Sequence, residues 1–113
     1  MTIDQAATLI GSARSAVALT GAGVSAESGI PTFRGEGGLW TKYDPVKVSS
    51  IDTFLADPTG YWEVARERGA LALAARPNPG HEALAALESR GHLVAVITQN
   101  TDGLHQRAGL PAR

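Results

Sequence analysis

This 113-residue sequence predicts an α/β fold with a parallel sheet and helical crossovers. Three observations carry that expectation. Two short, almost wholly apolar runs, AVALT at 16–20 and LVAVIT at 93–98, have the composition of buried strands. Capped segments of helical length lie between them, as crossovers between parallel strands require. Each run gives way to a polar or glycine-rich loop, and ligands of such sheets collect beyond the carboxyl ends of the strands.

The elements follow in order. Thr2 and Gln5 have capping-box spacing, Ile3, Ala6, Ala7 and Ile10 share one face of the helix they start, and Gly11 suits its stop. The strand at 16–20 comes next, then the stretch LTGAGVSAESGIPTFRG at 19–35. Residues 34–50 show no period and read as a long loop, the kind that is usually functional in a compact domain. Ser50 caps a short helix through Ala56. Asp57-Pro58 and Asn78-Pro79 are each an N-cap followed by a first-turn proline. They open helices running to Ala74 and to a stop at Gly91, the second with Leu84 and Leu87 on one face. The strand at 93–98 then leads into QNTDGLHQRAG.

Composition narrows the function classes. Hydrophobic content of 43% and charged content of 19% indicate a globular fold. A net charge of −1 offers no electrostatic case for nucleic acid or an anionic membrane. The chain has no cysteine, which excludes disulfides and a thiolate zinc site within it. No apolar stretch approaches the ~20 residues of a membrane span, and the N-terminus does not read as a signal peptide, so the expectation is a soluble cytoplasmic protein.

Several motifs carry chemistry. GAGVSA at 21–26 fits G-x-G-x-x-G/A with Ala26 in third place, the fingerprint of a Rossmann-like dinucleotide fold. Gly21 allows the tight turn, and Gly23 lets backbone amides approach a pyrophosphate with a helix N-terminus behind them. A plain glycine-rich turn is the alternative. The acidic residue expected about twenty positions on is missing, since Asp44 ends no visible strand. In SGIPTFRG, Phe33 offers an aromatic plate and Arg34 a fork suited to phosphate, the alternative being a surface loop with Phe33 tucked inward and Arg34 solvated. Gln99, Asn100 and Asp102 follow a strand, where they either hold ribose or carboxamide groups or cap a helix. His105 reads as a packing or capping histidine, because no carboxylate stands at i+4. His81 and His92 read as surface or cap residues, and Arg66, Glu67 and Arg68 as a solvated helix face. No carboxylate spacing suggests a metal site.

Together, GAGVSAESGIPTFRGEGGLW, PNPGHEAL and TQNTDGLHQRAG, in that order, closely resemble the sirtuins, the NAD-dependent protein lysine deacylases. The likeness covers nearly all of the chain after Ala16, and the first and third motifs in combination are highly specific. The resemblance implies the N-terminal part of a sirtuin large domain over residues 1–113, with NAD as cofactor. Gly21, Ala22 and Gly23 would cradle the phosphates. The segment from Glu27 to Arg34 would begin the cofactor-binding loop. Ile30 and Asp102 would line the nicotinamide pocket, Phe33 would shield the reacting ribose carbon, and Arg34 would order the cofactor. Gln99 and Asn100 would face the ribose. Ser25, Thr32 and Trp40, in the same matched segment, are carried as cofactor-binding positions.

In the family the acyl-lysine carbonyl attacks the nicotinamide ribose, and a histidine base then helps pass the acyl group to ADP-ribose. That histidine follows the third motif in a Glu-x-His-Gly-type segment, beyond Arg113. His105 matches a different family histidine, so no catalytic residue is expected within these 113 residues, and the chain alone is expected to be inactive. Zinc is expected only in a full-length parent, and an acylated-lysine protein is the expected substrate of that parent. Members preferring acidic acyl groups carry Tyr-x-x-Arg before the PN motif. Here Ala65 and Glu63 precede Arg68 and Arg66 at that spacing, which favours acetyl-like groups. A non-catalytic NAD or ADP-ribose module and an NAD glycohydrolase are the alternative functions.

Overall fold

The computed structural model describes residues 1–112. Helix α1, Ile3–Ser12, begins at the capping box read from the sequence: the Gln5 amide donates to the Thr2 hydroxyl at 3.2 Å, and the Thr2 amide donates to the Gln5 side chain at 2.9 Å. The helix continues past Gly11 and is left through Ala13 in an extended conformation. That exit needs no left-handed residue, so Gly11 is interior rather than the stop.

Strands β1, Val17–Thr20, and β2, Ala95–Thr98, pair in parallel, with Val17 opposite Ala95 and Thr20 opposite Thr98. Between them lie α2, Pro45–Ser49, α3, Ile51–Ala56, α4, Pro58–Ala74, and α5, Pro79–Ser89; α6, Leu104–Arg107, follows β2. The result is a two-stranded piece of a Rossmann-like α/β sheet with helical crossovers. The caps hold each helix start in place. Ser50 accepts from the Thr53 amide, Asp57 from Gly60, and Asn78 from Gly80 and His81.

Two expectations change. Residues 34–50 are not a structureless loop, because they contain a 3-10 turn at Leu39–Thr41 and helix α2, capped by Asp44. Asp44-Pro45 is the same start signal as Asp57-Pro58, but five residues are too few to display a helical period. The strands are also not covered on both faces. Burial alternates along β1, where Val17 and Leu19 are 51% and 71% exposed, and Ile97 of β2 is 57% exposed. One face of a two-stranded sheet is covered, with α5 against β2, and the other stays open.

The interior is correspondingly thin. Among the described residues four apolar side chains are buried, Ala75, Leu93, Leu104 and Leu110, beside four polar ones, Ser25, Asn78, His81 and His105. The Cα radius of gyration is 16.7 Å, against roughly 13 Å for a compact domain of this size. Among the described residues no helix is long and apolar enough to cross a membrane.

Candidate cofactor site

Because Thr20 and Thr98 are register partners, both strands end at the same level and both following loops leave the same end of the sheet. After β1, Gly21 is extended and residues Ala22–Ser28 form a 3-10 helix closed by Gly29 at φ 84°. The phosphate turn is therefore backed by a tight seven-residue 3-10 helix, not by the α-helix a dinucleotide fingerprint leads one to expect. After β2, residues 99–102 run to Gly103, whose φ of 70° turns the chain into α6.

The two loops and one face of α4 enclose a cleft of about 300 Å³. From the first loop it takes Ala22, Ser25, Ile30, Pro31 and Phe33, and from the second Gln99, Asn100, Thr101 and Asp102. From α4 it takes Tyr61, Ala65, Arg68 and Ala72, a set spaced by four, three and four residues along one helix face. Seven of the residues expected from sequence thus line one cavity: Ala22, Ser25, Ile30, Phe33, Gln99, Asn100 and Asp102. Gly21, Gly23, Glu27, Thr32, Arg34 and Trp40 lie outside that lining. Arg34, Gly23 and Glu27 are solvent-exposed. Thr32 donates to the Arg34 carbonyl at 2.7 Å, which shapes the loop, and Trp40 stacks on Phe33 with centroids 5.2 Å apart.

Beneath the cleft is a directed chain of hydrogen bonds. The Asn78 amide donates to His81 Nδ1 at 3.3 Å, which leaves the proton of the neutral ring on Nε2, 3.4 Å from Ser25 Oγ. Ser25 Oγ donates onward to Asp102 Oδ2 at 2.7 Å, and Asp102 Oδ1 accepts from the Leu104 amide at 2.9 Å. The Asn100 amide nitrogen donates to Ser25 Oγ at 3.2 Å and to the Gly21 carbonyl at 3.0 Å. Asn78 also donates to the Val24 carbonyl and to Ser28 Oγ. Serine, histidine and aspartate meet here, but not as a nucleophilic triad. The serine proton points to the aspartate, while the histidine donates to the serine instead of accepting from it. The arrangement fixes Asp102 and the glycine turn in place.

Two readings of individual residues change with this geometry. His81 does cap α5, but it is fully buried rather than on the surface, because Ser25 and His105 pack against it. Arg68 is not merely solvated: its guanidinium lies 4.8 Å from the centroid of the Phe33 ring. Glu67 accepts from Tyr43 Oη at 3.1 Å, and that hydrogen bond first, with the carboxylate charge second, raises the Tyr43 pKa. His105 packs as expected, 3% exposed, with Nε2 2.8 Å from Thr20 Oγ1. Burial, reinforced by neighbouring His81, lowers its pKa against a smaller opposing effect of Asp102. His92 is exposed. The spacing along α4 was the available signal for Arg68, but alanine and glycine on that face muted it.

The family pattern described as Sir2 family matches residues 21–112. The chain belongs to the Sir2 family. It is 56% identical over 107 residues to NAD-dependent protein deacylase 2 of Archaeoglobus fulgidus, a match covering 95% of this chain and 42% of that protein. The solved complex of a Sir2 homologue with NAD matches with a TM-score of 0.86 and 45% identity over 98% of this chain and 43% of that one. A Sir2 variant with deacetylated p53 peptide and 3′-O-acetyl ADP-ribose matches with a TM-score of 0.92 and 45% identity over 98% of this chain and 45% of that one. The chain thus spans less than half the length of these Sir2 relatives. Among its described residues no group of three histidine, aspartate or glutamate side chains could hold a metal ion. With no cysteine present, a zinc ion of the kind expected in a longer Sir2 parent has no donor set here.

Proposed function

We propose that the cleft between the two loops binds NAD, and that residues 1–113 carry the N-terminal, cofactor-binding part of a protein lysine deacylase of the deacetylase type, acting in the cytoplasm on acylated-lysine proteins. The observation that carries this reading is the strand register, Thr20 opposite Thr98, which brings the glycine turn and the QNTD loop to one cavity. The residues present fit the cofactor. Gly21, Ala22 and Gly23 leave space above the turn, no heavy atom lying within 4 Å of a Cβ built on Gly23. Ser25 and Asp102 hold the floor, Ile30 and Phe33 give an apolar wall, and Gln99 offers its amide and Asn100 its side-chain carbonyl at the rim. Glu27, Thr32, Arg34 and Trp40 lie outside the cleft lining and are assigned to the cofactor on the resemblance alone. When bound, NAD supplies a ribose–nicotinamide bond whose cleavage lets the ribose accept an acyl group.

The chain's own residues account for binding, orientation and exclusion of water, not for proton transfer. His81 and His105 are buried and neither lines the cleft, so no described histidine is placed to act as base there. That favours NAD binding without acyl turnover by these 113 residues, and makes a non-catalytic NAD or ADP-ribose module the second reading. A calorimetric titration of the purified chain with NAD tests the first claim, and saturable binding is expected. Incubation with NAD and an acetyl-lysine peptide tests the second, with no deacetylated peptide expected. Nicotinamide release without peptide would instead make the chain a glycohydrolase.

A further inference from the structure

Helix α6 is tied to the ligand end of β1 by one side chain. His105 sits on α6, just after the QNTD loop, and its Nε2 lies 2.8 Å from the hydroxyl of Thr20, the last residue before the glycine turn. No other side-chain hydrogen bond described here joins α6 to β1. The ring also packs on His81, with centroids 4.9 Å apart, and so leans on the histidine that supports Ser25. Its second nitrogen, Nδ1, is buried and has no hydrogen-bond partner.

That orphan nitrogen limits what the clamp tolerates. With no acceptor at Nδ1, the neutral ring keeps its one proton on Nε2, facing the Thr20 hydroxyl, and leaves Nδ1 bare. An imidazolium carries N–H groups on both nitrogens, and the one on Nδ1 has no acceptor. The charged groups around it do not rescue the cation. His81 of α5 is a second basic ring, and the Asp102 oxygens are already held by Ser25 and the Leu104 amide. Glu88 of α5 lines a recess together with His105, and Arg107 on its own helix donates to the Ala75 carbonyl.

We propose that His105 is a positioning residue that sets the glycine turn through Thr20 only while neutral, making cofactor binding at this site sensitive to mild acid. Protonation forces the ring or Thr20 to move, and the displacement passes to Gly21, the next residue, whose carbonyl is held by Asn100. The effect on affinity rests on the NAD reading of the cleft. The effect on the turn does not.

The experiment has one readout for each. Backbone amide resonances of Gly21, Gly23 and Asn100 are followed in the free chain from about pH 7.5 to 5, across the ordinary histidine range. In the native chain the three are expected to shift together on the acid side of that range, and in His105→Gln, which can keep a nitrogen near Thr20 but cannot titrate there, they are expected not to. NAD affinity measured at both pH values is expected to fall about tenfold in the native chain and to stay level in His105→Gln, while His105→Phe is weaker at both. Thr20→Val gives an independent check, since it leaves His105 able to titrate but should uncouple Gly21 from it. Shared titration that persists in His105→Gln, or in Thr20→Val, overturns the proposal, as does its absence from the native chain. Failure of the native chain to bind NAD at pH 7.5 would defeat the cofactor reading alone, with the amide titration still deciding the role of His105.

Discussion

The polar cluster under the glycine turn and the helical arm of α2, α3 and α4 are held by different means. In the cluster, Ser25, His81 and His105 are at most 3% exposed, and their hydrogen bonds run between segments more than fifty residues apart in sequence. In the arm, Val46, Ile51, Leu55 and Trp62 are each more than half exposed. The cofactor loop meets the arm through Arg68 over Phe33 and through Tyr43 on Glu67. Buried hydrogen bonds are expensive to leave unmade, whereas exposed contacts each contribute little. One wall of the cleft is therefore preorganised, and the opposite wall is free to adjust. The proposed NAD site would be served by that division, since a large cofactor has to enter the cleft and be covered there.

The division can be broken from its rigid side first. Asn78→Leu removes the cap of α5 together with the bonds to Val24 and Ser28, and should lower unfolding free energy by roughly 2–4 kcal/mol in urea titrations. Ser25→Ala leaves His81 Nε2 without an acceptor and Asp102 Oδ2 without its donor. A loss of about 1–3 kcal/mol is expected by the same measurement, with weaker NAD binding by calorimetry. A stability change under about 0.5 kcal/mol in either variant would mean that the cluster does not hold the turn.

Acid should act on the same side. Because the folded His105 pKa lies below its ordinary value, the unfolded chain takes up that proton more readily. This contribution to stability is complete above the ordinary histidine range, near pH 6.5, and declines as the pH falls through it toward the folded pKa. Thermal melts at descending pH check the sign. A melting temperature that rises on acidification through that range would contradict it.

The arm should respond least. Arg68→Ala removes an exposed cation–π contact of about 0.5–1 kcal/mol. Its visible consequence should be faster proteolysis of the loop around Phe33, with the melt lowered by a few degrees at most. Tyr43→Phe should change stability by less than about 0.5 kcal/mol, since its bond to Glu67 is exposed.

The sequence made the local parts of this architecture legible. Thr2 with Gln5, Ser50, Asp57-Pro58 and Asn78-Pro79 were readable because a cap involves residues only a few positions apart. The glycine turn and the QNTD loop were readable as partners because both follow apolar runs. Non-local facts were not readable. His81 caps a helix by a local rule, but its burial depends on Ser25, 56 positions away. Arg68 reaches the cleft only because α4 turns its alanine and glycine face toward Phe33. Helix α2 is illegible for the opposite reason, since its Asp-Pro start is in plain view but its five residues display no period.

Hydrogen–deuterium exchange of the purified chain with and without saturating NAD tests the central claim most directly. The two-loop cleft predicts that NAD protects amides in both 21–34 and 99–103, with the buried cluster already slow to exchange before NAD is added. Protection confined to one loop, or found elsewhere on the chain, would contradict a cofactor site built by the register of Thr20 against Thr98.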